Sequence, residues 1–325
     1  MKFLNNVLEL YDLLVGQNSN LDKINSLSGY LKLIDKNLYS AKLKENFKID
    51  MHSILDERLK FCSDDIDYLR KLKDIAYYED SMAVYSTIII FWAKYNNAGL
   101  TNEELSKLSE ATFIGVIGYK LIDIHNDENV LGKEASILGN YLIHIHEEIL
   151  LDIFKNAYAM KTINKYVGMY AEAEFLEKRN RWKQCPFDWE YPQKIGWKAA
   201  PLFAIFELLF LNAAVNEREI EKKIDGLILA SAALQMADDF MDSVKDLNNG
   251  IETLIMSGFY ELHGNEKEIT IEMVDQFLED EKVMRFYDTI QKFYDSAREM
   301  FNGTDDILSL FLELQNYRFN KSLSS

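Results

Sequence analysis

Proline is nearly missing from this chain: 325 residues hold three, Pro186, Pro192 and Pro201, all within one short stretch. Glycine is also sparse, at 14 residues. All-β and α/β chains of this length use many turn residues, so the shortage of both points to long helices with few sharp breaks. Cysteine is limited to Cys62 and Cys185, far apart and outside any metal-type spacing. That argues against a disulfide framework and fits a reducing, cytoplasmic compartment. Positive charge is in deficit: 36 Lys and Arg stand against 53 Asp and Glu, a formal net charge of −17. Nucleic-acid binding and docking on an anionic membrane both need a basic face, so neither class fits. No uninterrupted apolar run reaches the roughly 18 to 20 residues of a membrane span. The stretches 85–92 and 199–215 come nearest and are too short or broken by charge.

Hydrophobic residues make up 48% of the chain, enough to bury a substantial core and to argue against disorder. The opening MKFLNNVLELYDLLVG carries Glu9 and Asp12 among apolar residues at helical spacing, so it reads as a first helix, not a signal peptide. Residues 1–80 continue as amphipathic helices, and 85–94 (YSTIIIFWAK) is apolar almost all round, a buried helix. NNAGLTN at 96–102 is a break, and Thr101 with Glu104 forms a capping box that starts a helix running from 102 to about 124. A polar break follows at His125 (HNDEN). Long helices are then expected over 133–160 and 161–178. QCPFDWEYPQKIGWK, 184–198, is the strongest loop signal in the chain. Two buried helices follow, 199–215 and 217–242, and then three shorter helices and a polar tail over 251–325. No repeat or low-complexity segment interrupts this order. The expected architecture is all-α, one large bundle of roughly ten to thirteen helices occupying residues 1–325 as a single domain.

The sharpest chemical feature is Asp238-Asp239-Phe240-Met241-Asp242-Ser243-Val244-Lys245-Asp246. Asp238, Asp242 and Asp246, spaced i, i+4 and i+8, form one acidic ridge on a helix. Aspartate is a poor helix former and like charges at that spacing repel. The ridge also follows directly on LILASAALQMA, a run apolar enough to be buried. Carboxylates at the edge of a core need a positive counterpart. Hard cations with oxygen ligands supply it, and magnesium shared with phosphate is the common case. The plain alternative is a solvated acidic helix end. A second acidic group, Asp123-Ile124-His125-Asn126-Asp127-Glu128, ends the apolar helix GVIGYKLI, with Asp123 and Asp127 on one face. Alone it reads better as a polar helix C-terminus. Beside the first ridge it reads as that ridge's counterpart across a bundle.

These residues carry a resemblance. Gln235 through Asp242 (QMADDFMD) resembles the second aspartate-rich motif of the trans-isoprenyl diphosphate synthases and of the class I terpene synthases that share their fold. Asp246 and the following NNGIETL are similar to that motif's downstream acidic residue and glycine-bearing turn. Gly196-Trp197-Lys198-Ala199-Ala200-Pro201 is similar to the family's lysine segment, and GYKLIDIHND, 118–127, to a degenerate first motif. The order is kept, and the resemblance covers roughly residues 80–260.

The resemblance implies a class I isoprenoid-synthase bundle and a prenyl diphosphate substrate. It implies three Mg2+ ions held by Asp123, Asp127, Asp238, Asp242 and Asp246, with Asp239 beside them in the catalytic motif. Lys194, Lys198, Lys245 and Arg318 become diphosphate ligands; Arg318 reads equally as a surface arginine, as do Arg179 and Arg181. A homodimer is a further expectation by analogy. The departures bear on the reaction. Ile124 stands where a second aspartate of the first motif is expected, and VLGKEAS replaces the paired arginines that follow it. In the family those groups serve isopentenyl diphosphate and chain elongation. The expectation is therefore a terpene synthase-like lyase that ionises one prenyl diphosphate and cyclises or quenches the cation. The alternatives are an elongating prenyltransferase, or a catalytically inactive partner subunit. Phe113, Tyr119, Phe203, Phe206 and Phe240 are candidates for a cation-stabilising cavity, each equally a core residue.

His144 and His146 stand roughly 200° apart on a helix and do not ligate one ion together. No phosphate-binding glycine loop, dinucleotide fingerprint or Ser-His-Asp arrangement occurs.

Overall fold

The structure, a computed structural model, describes residues 57–62, 89–90, 92–94, 96–127, 132–178, 192–241, 243, 253–264, 270–301, 305, 308–309 and 312. The fold is all-α, with no strand among the described residues. Among the described residues the bounded α-helices are α1 (Asn102–Asp127), α2 (Glu134–Ile153), α3 (Ala157–Lys178), α4 (Ala200–Asn212), α5 (Glu217–Met241), α6 (Leu254–His263), α7 (Ile271–Leu278) and α8 (Glu281–Phe301). Pro192–Ala199, between α3 and α4, is a 3-10 helix. The chain forms two compact units: Met1–Met160 with Leu208–Ala214, and Lys161–Glu207 with Val215–Ser325.

In the first unit α1 begins as its capping box predicts. The Thr101 amide donates to Glu104 Oε2 at 2.8 Å and the Glu104 amide donates to Thr101 Oγ1 at 3.2 Å, satisfying two donors that a helix start leaves open. The apolar side chains of α1 repeat at three and four residues: Leu108, Ala111, Ile114, Ile117 and Leu121 are all buried. α1 and α2 are antiparallel neighbours. Gly115 meets His146, while three residues on Gly118 meets Gly139 and Ile143. Ile89, Ile90, Trp92 and Ala93 are buried as expected, and Trp92 meets Phe210 edge-on at 4.7 Å between ring centroids.

Two boundaries differ from expectation. α1 runs through His125 to Asp127. His125 Nδ1 lies 3.1 Å from the Gly132 carbonyl oxygen, tying the last turn of α1 to the lead-in of α2. The helix expected over 133–160 instead ends at Ile153, and α3 starts at Ala157. Asn156 caps that start: its Oδ1 accepts from the Tyr158 and Ala159 amides at 3.0 and 2.9 Å.

In the second unit α5 packs along α8, where Gly226 leaves room for the Phe301 ring. α8 is longer than the short helix expected there, with 21 residues. Val283, Phe286, Ile290, Tyr294, Ala297 and Phe301 make its buried stripe. Lys223 on α5 donates to Asp305 at 2.8 Å with both side chains buried. Phe259 on α6 meets Phe277 on α7 edge-on at 5.4 Å. The stretch Gln193–Asn212 is, by length and composition, apolar enough to cross a membrane, contrary to the sequence expectation. Phe203, Ala204, Ile205, Phe206, Leu208, Leu209 and Phe210 within it are buried inside the protein, the place of a core helix.

Candidate diphosphate and metal site

In the second unit the candidate residues lie where α5, the 3-10 segment and α3 meet. α5 buries Ile220, Ile224, Leu227, Ala230, Ala233 and Ala237, so its last turns are anchored by a continuous apolar face. Asp238 follows on the exposed side and Asp239 is half-buried, accepting from Gln235 Nε2 at 3.2 Å. The Gln that precedes the aspartates therefore orients one of them.

The 3-10 segment lies against the middle of α5 because residue 196 is glycine. A methyl group there would collide with the Ile228 carbonyl oxygen and lie 2.9 Å from the Ala232 amide nitrogen. That contact sits six residues, about 9 Å of helix rise, before Asp238. The expected loop over 184–198 is thus regular from Pro192 onward, and Lys194 and Lys198 sit on a segment fixed to the helix that carries Asp238.

Both lysines are held by carboxylates that sequence reasoning did not single out. Lys198 Nζ is 2.8 Å from Glu177 Oε2 and 3.7 Å from Glu174 Oε1, and Lys194 Nζ is 2.6 Å from Glu172 Oε1. Lys194 also lies over the Trp197 ring, 5.1 Å from its centroid. The run AEAEFLEK, 171–178, was the available signal. Its partners lie about two dozen residues downstream, beyond the reach of local spacing.

A second polar cluster lies on α3 and α4. The Tyr166 hydroxyl and Lys165 Nζ both donate to Glu207, the latter at 2.8 Å. Burial pushes the Tyr166 phenol well above its usual range, and the hydrogen bond to Glu207 adds to it. Phe203 packs edge-on against Tyr166, and Phe240 stacks on Phe286 at 6.3 Å; Phe203 and Phe206 are core residues.

In the first unit, Asp123 lies in the last two turns of α1, half-buried, with Oδ2 3.3 Å from Lys120 Nζ. Asp127 is the last residue of α1. Tyr119, one turn before Asp123, has its phenol raised by burial and by the nearby Glu147 charge. Phe113 is core. Asp242, Lys245, Asp246 and Arg318 lie outside the described residues, as do Arg179 and Arg181. Among the described residues no three His, Cys, Asp or Glu side chains converge to hold a metal. The donors that α5 contributes are carboxylate oxygens alone, the set that suits a hard cation. His144 is exposed and His146 buried, as their separation on α2 requires.

No protein-family model and no curated protein sequence matches the chain. Solved structures do. The geranylgeranyl pyrophosphate synthase of Lactobacillus brevis ATCC 367, complexed with citrate, superposes with a TM-score of 0.66 at 15% identity, covering 88% of this chain and 99% of that one. A putative geranylgeranyl pyrophosphate synthase from Corynebacterium glutamicum gives 0.63 at 13% identity, covering 88% and 97%. A polyprenyl synthase from Caulobacter crescentus CB15, complexed with calcium and isoprenyl diphosphate, gives 0.60 at 16% identity, covering 88% and 97%. The fold of this chain is that of the trans-prenyl diphosphate synthases.

Proposed function

We propose that the chain is a metal-dependent enzyme acting on a prenyl diphosphate, and that its reaction is prenyl transfer with chain elongation. The observation that carries this is the likeness to prenyl diphosphate synthases over nearly their whole length. It favours the prenyltransferase alternative over the lyase that the missing arginines suggest. Asp238, Asp242 and Asp246 would hold Mg2+, which when bound supplies positive charge to the departing diphosphate; Asp123 and Asp127 are proposed as ligands of the same kind. Lys198 and Lys194 add point-charge contacts to phosphate oxygens in a chain whose net charge of −17 otherwise repels anions. Asp239, oriented by Gln235, belongs to the same motif.

A second reading keeps one specific observation in its favour. VLGKEAS carries no paired arginine for a second diphosphate, which favours ionisation of a single substrate followed by cyclisation or quenching. Geranyl, farnesyl and geranylgeranyl diphosphates, each incubated with magnesium and with or without isopentenyl diphosphate, separate the two by mass spectrometry. A longer prenyl diphosphate formed only with isopentenyl diphosphate supports transfer. A hydrocarbon or alcohol formed without it supports the lyase. No product in any mixture leaves an inactive partner subunit.

A further inference from the structure

We propose that Tyr166 and Glu207 are positioning residues for Lys198: they fix the rotation of α4 on α3, and with it the segment that presents the ammonium. This rests on the reading of Lys198 as a diphosphate ligand and assigns two residues which that reading does not.

Apolar packing alone orients α4 poorly. Its first two turns bury Ala200, Phe203, Ala204, Ile205 and Phe206, positions that spread round the whole circumference of the helix. Apolar burial is non-directional, and a helix apolar all round lacks the polar face that tells inside from outside. Glu207 is the one charged residue in Ala200–Asn212. Its side chain is 16% exposed, and its Oε2 accepts from the Tyr166 hydroxyl and from Lys165 Nζ, both on α3. Tyr166 is buried and its ring meets Phe203 edge-on at 6.1 Å, so one residue of α3 holds α4 through both ring and hydroxyl. Turning α4 by one residue, about 100°, gives up both bonds of a largely buried carboxylate, which is costly. A polar contact inside an apolar interface is thus the register key.

The link to Lys198 is short. The 3-10 segment that carries it ends at Ala199, and α4 starts at Ala200. Lys198 Nζ lies 2.8 Å from Glu177 Oε2, on the same α3 that carries Tyr166. Tyr166 and Glu177 are about 16 Å apart in helix rise, so residues 198–207 meet α3 at two separated points. Gly196 fixes the segment against α5 ahead of the lysine, and Glu207 fixes it against α3 beyond the lysine.

Calorimetric titration of the full chain with inorganic pyrophosphate and magnesium tests this. The variants are Tyr166→Phe, Glu207→Leu, Glu207→Gln, Lys198→Met, and Lys198→Met combined with each of the first two. Thermal melts check each fold. Tyr166→Phe and Glu207→Leu are expected to weaken binding about three- to tenfold, the scale of one hydrogen bond. Glu207→Gln keeps an acceptor for the Tyr166 hydroxyl and is expected to bind within about twofold of wild type. Sites this far apart normally act independently, to within about twofold. Here the Tyr166→Phe loss is expected to vanish when Lys198 is Met, a coupling that a merely structural role does not produce. The Glu207→Leu pair decides the same point if Tyr166→Phe does not fold. If Lys198→Met weakens binding while folded Tyr166→Phe and Glu207→Leu bind as wild type does, the positioning role is overturned and Lys198 stands as a ligand. Losses that persist in full without Lys198, or a Glu207→Gln as weak as Glu207→Leu, also overturn it. If Lys198→Met binds as wild type does, or wild type binds no pyrophosphate, the diphosphate reading of Lys198 fails and the proposal with it.

Discussion

Gly118 and Gly139 lie against each other where α1 passes α2, so close that a methyl group on Gly139 would stand 2.7 Å from the Gly118 carbonyl oxygen. Backbone cannot yield as a side-chain tip does, so the helices must separate to admit it. Gly139→Ala is expected to lower stability by about 1–3 kcal/mol, the usual cost of overpacking. Gly168, inside α3, has nothing within 4 Å of the same position, and Gly168→Ala is expected to stabilise by about 0.5–1 kcal/mol through helix propensity. Urea unfolding of the two variants should give opposite signs; two equal losses would contradict the close approach.

The buried pair Lys223–Asp305 predicts an asymmetry. Asp305 accepts from Lys223 Nζ at 2.8 Å and, through Oδ1, from the Leu308 amide at 3.0 Å. Asp305→Ala takes the 2.8 Å carboxylate partner from a buried ammonium and the acceptor from the Leu308 amide, and is expected to cost about 3–5 kcal/mol. Lys223→Met/Asp305→Asn keeps the shapes and removes the charges, so it should cost much less. Chemical denaturation of both variants checks the order.

His146 sets a pH dependence. Burial lowers its pKa from 6.5 to about 4, partly opposed by the hydrogen bond between Nδ1 and the Ala111 carbonyl oxygen at 2.8 Å. The folded state holds the imidazole neutral, while the unfolded chain takes up a proton below about 6.5. The contribution is therefore fully present above pH 6.5 and is lost as pH falls from there to about 4. The loss is about 3 kcal/mol by the conversion of 1.36 kcal/mol per unit. Subtracting the stability profile of His146→Gln from that of wild type should isolate this slope. A flat difference between pH 7 and 4 would show that His146 is not held neutral.

How far the sequence carries can be judged residue by residue. The Thr101–Glu104 box and the apolar periodicity of 217–241 are local signals, and both elements stand where those signals place them. The break at Phe154–Asn156 leaves no mark in the apolar pattern, because apolar residues continue through it. Only the Asn156 side chain marks the new start, and an asparagine has many other uses. Pro192 and Gly196 are turn residues in isolation, so the local pattern predicts a loop where the 3-10 segment stands. What makes it regular is the fit of Gly196 against Ile228 and Ala232, a tertiary contact. The carboxylates over Lys194 and Lys198 were illegible for the same reason.

The most direct test of the central claim is pyrophosphate release from farnesyl diphosphate with isopentenyl diphosphate and magnesium, measured for wild type, Asp238→Ala and Lys198→Ala. The account predicts steady release by wild type that magnesium chelation stops. It predicts losses of at least about a hundredfold in both variants, as expected for removing a charge-stabilising group. Release by Asp238→Ala equal to wild type, or none from folded wild type with any prenyl diphosphate, would contradict it.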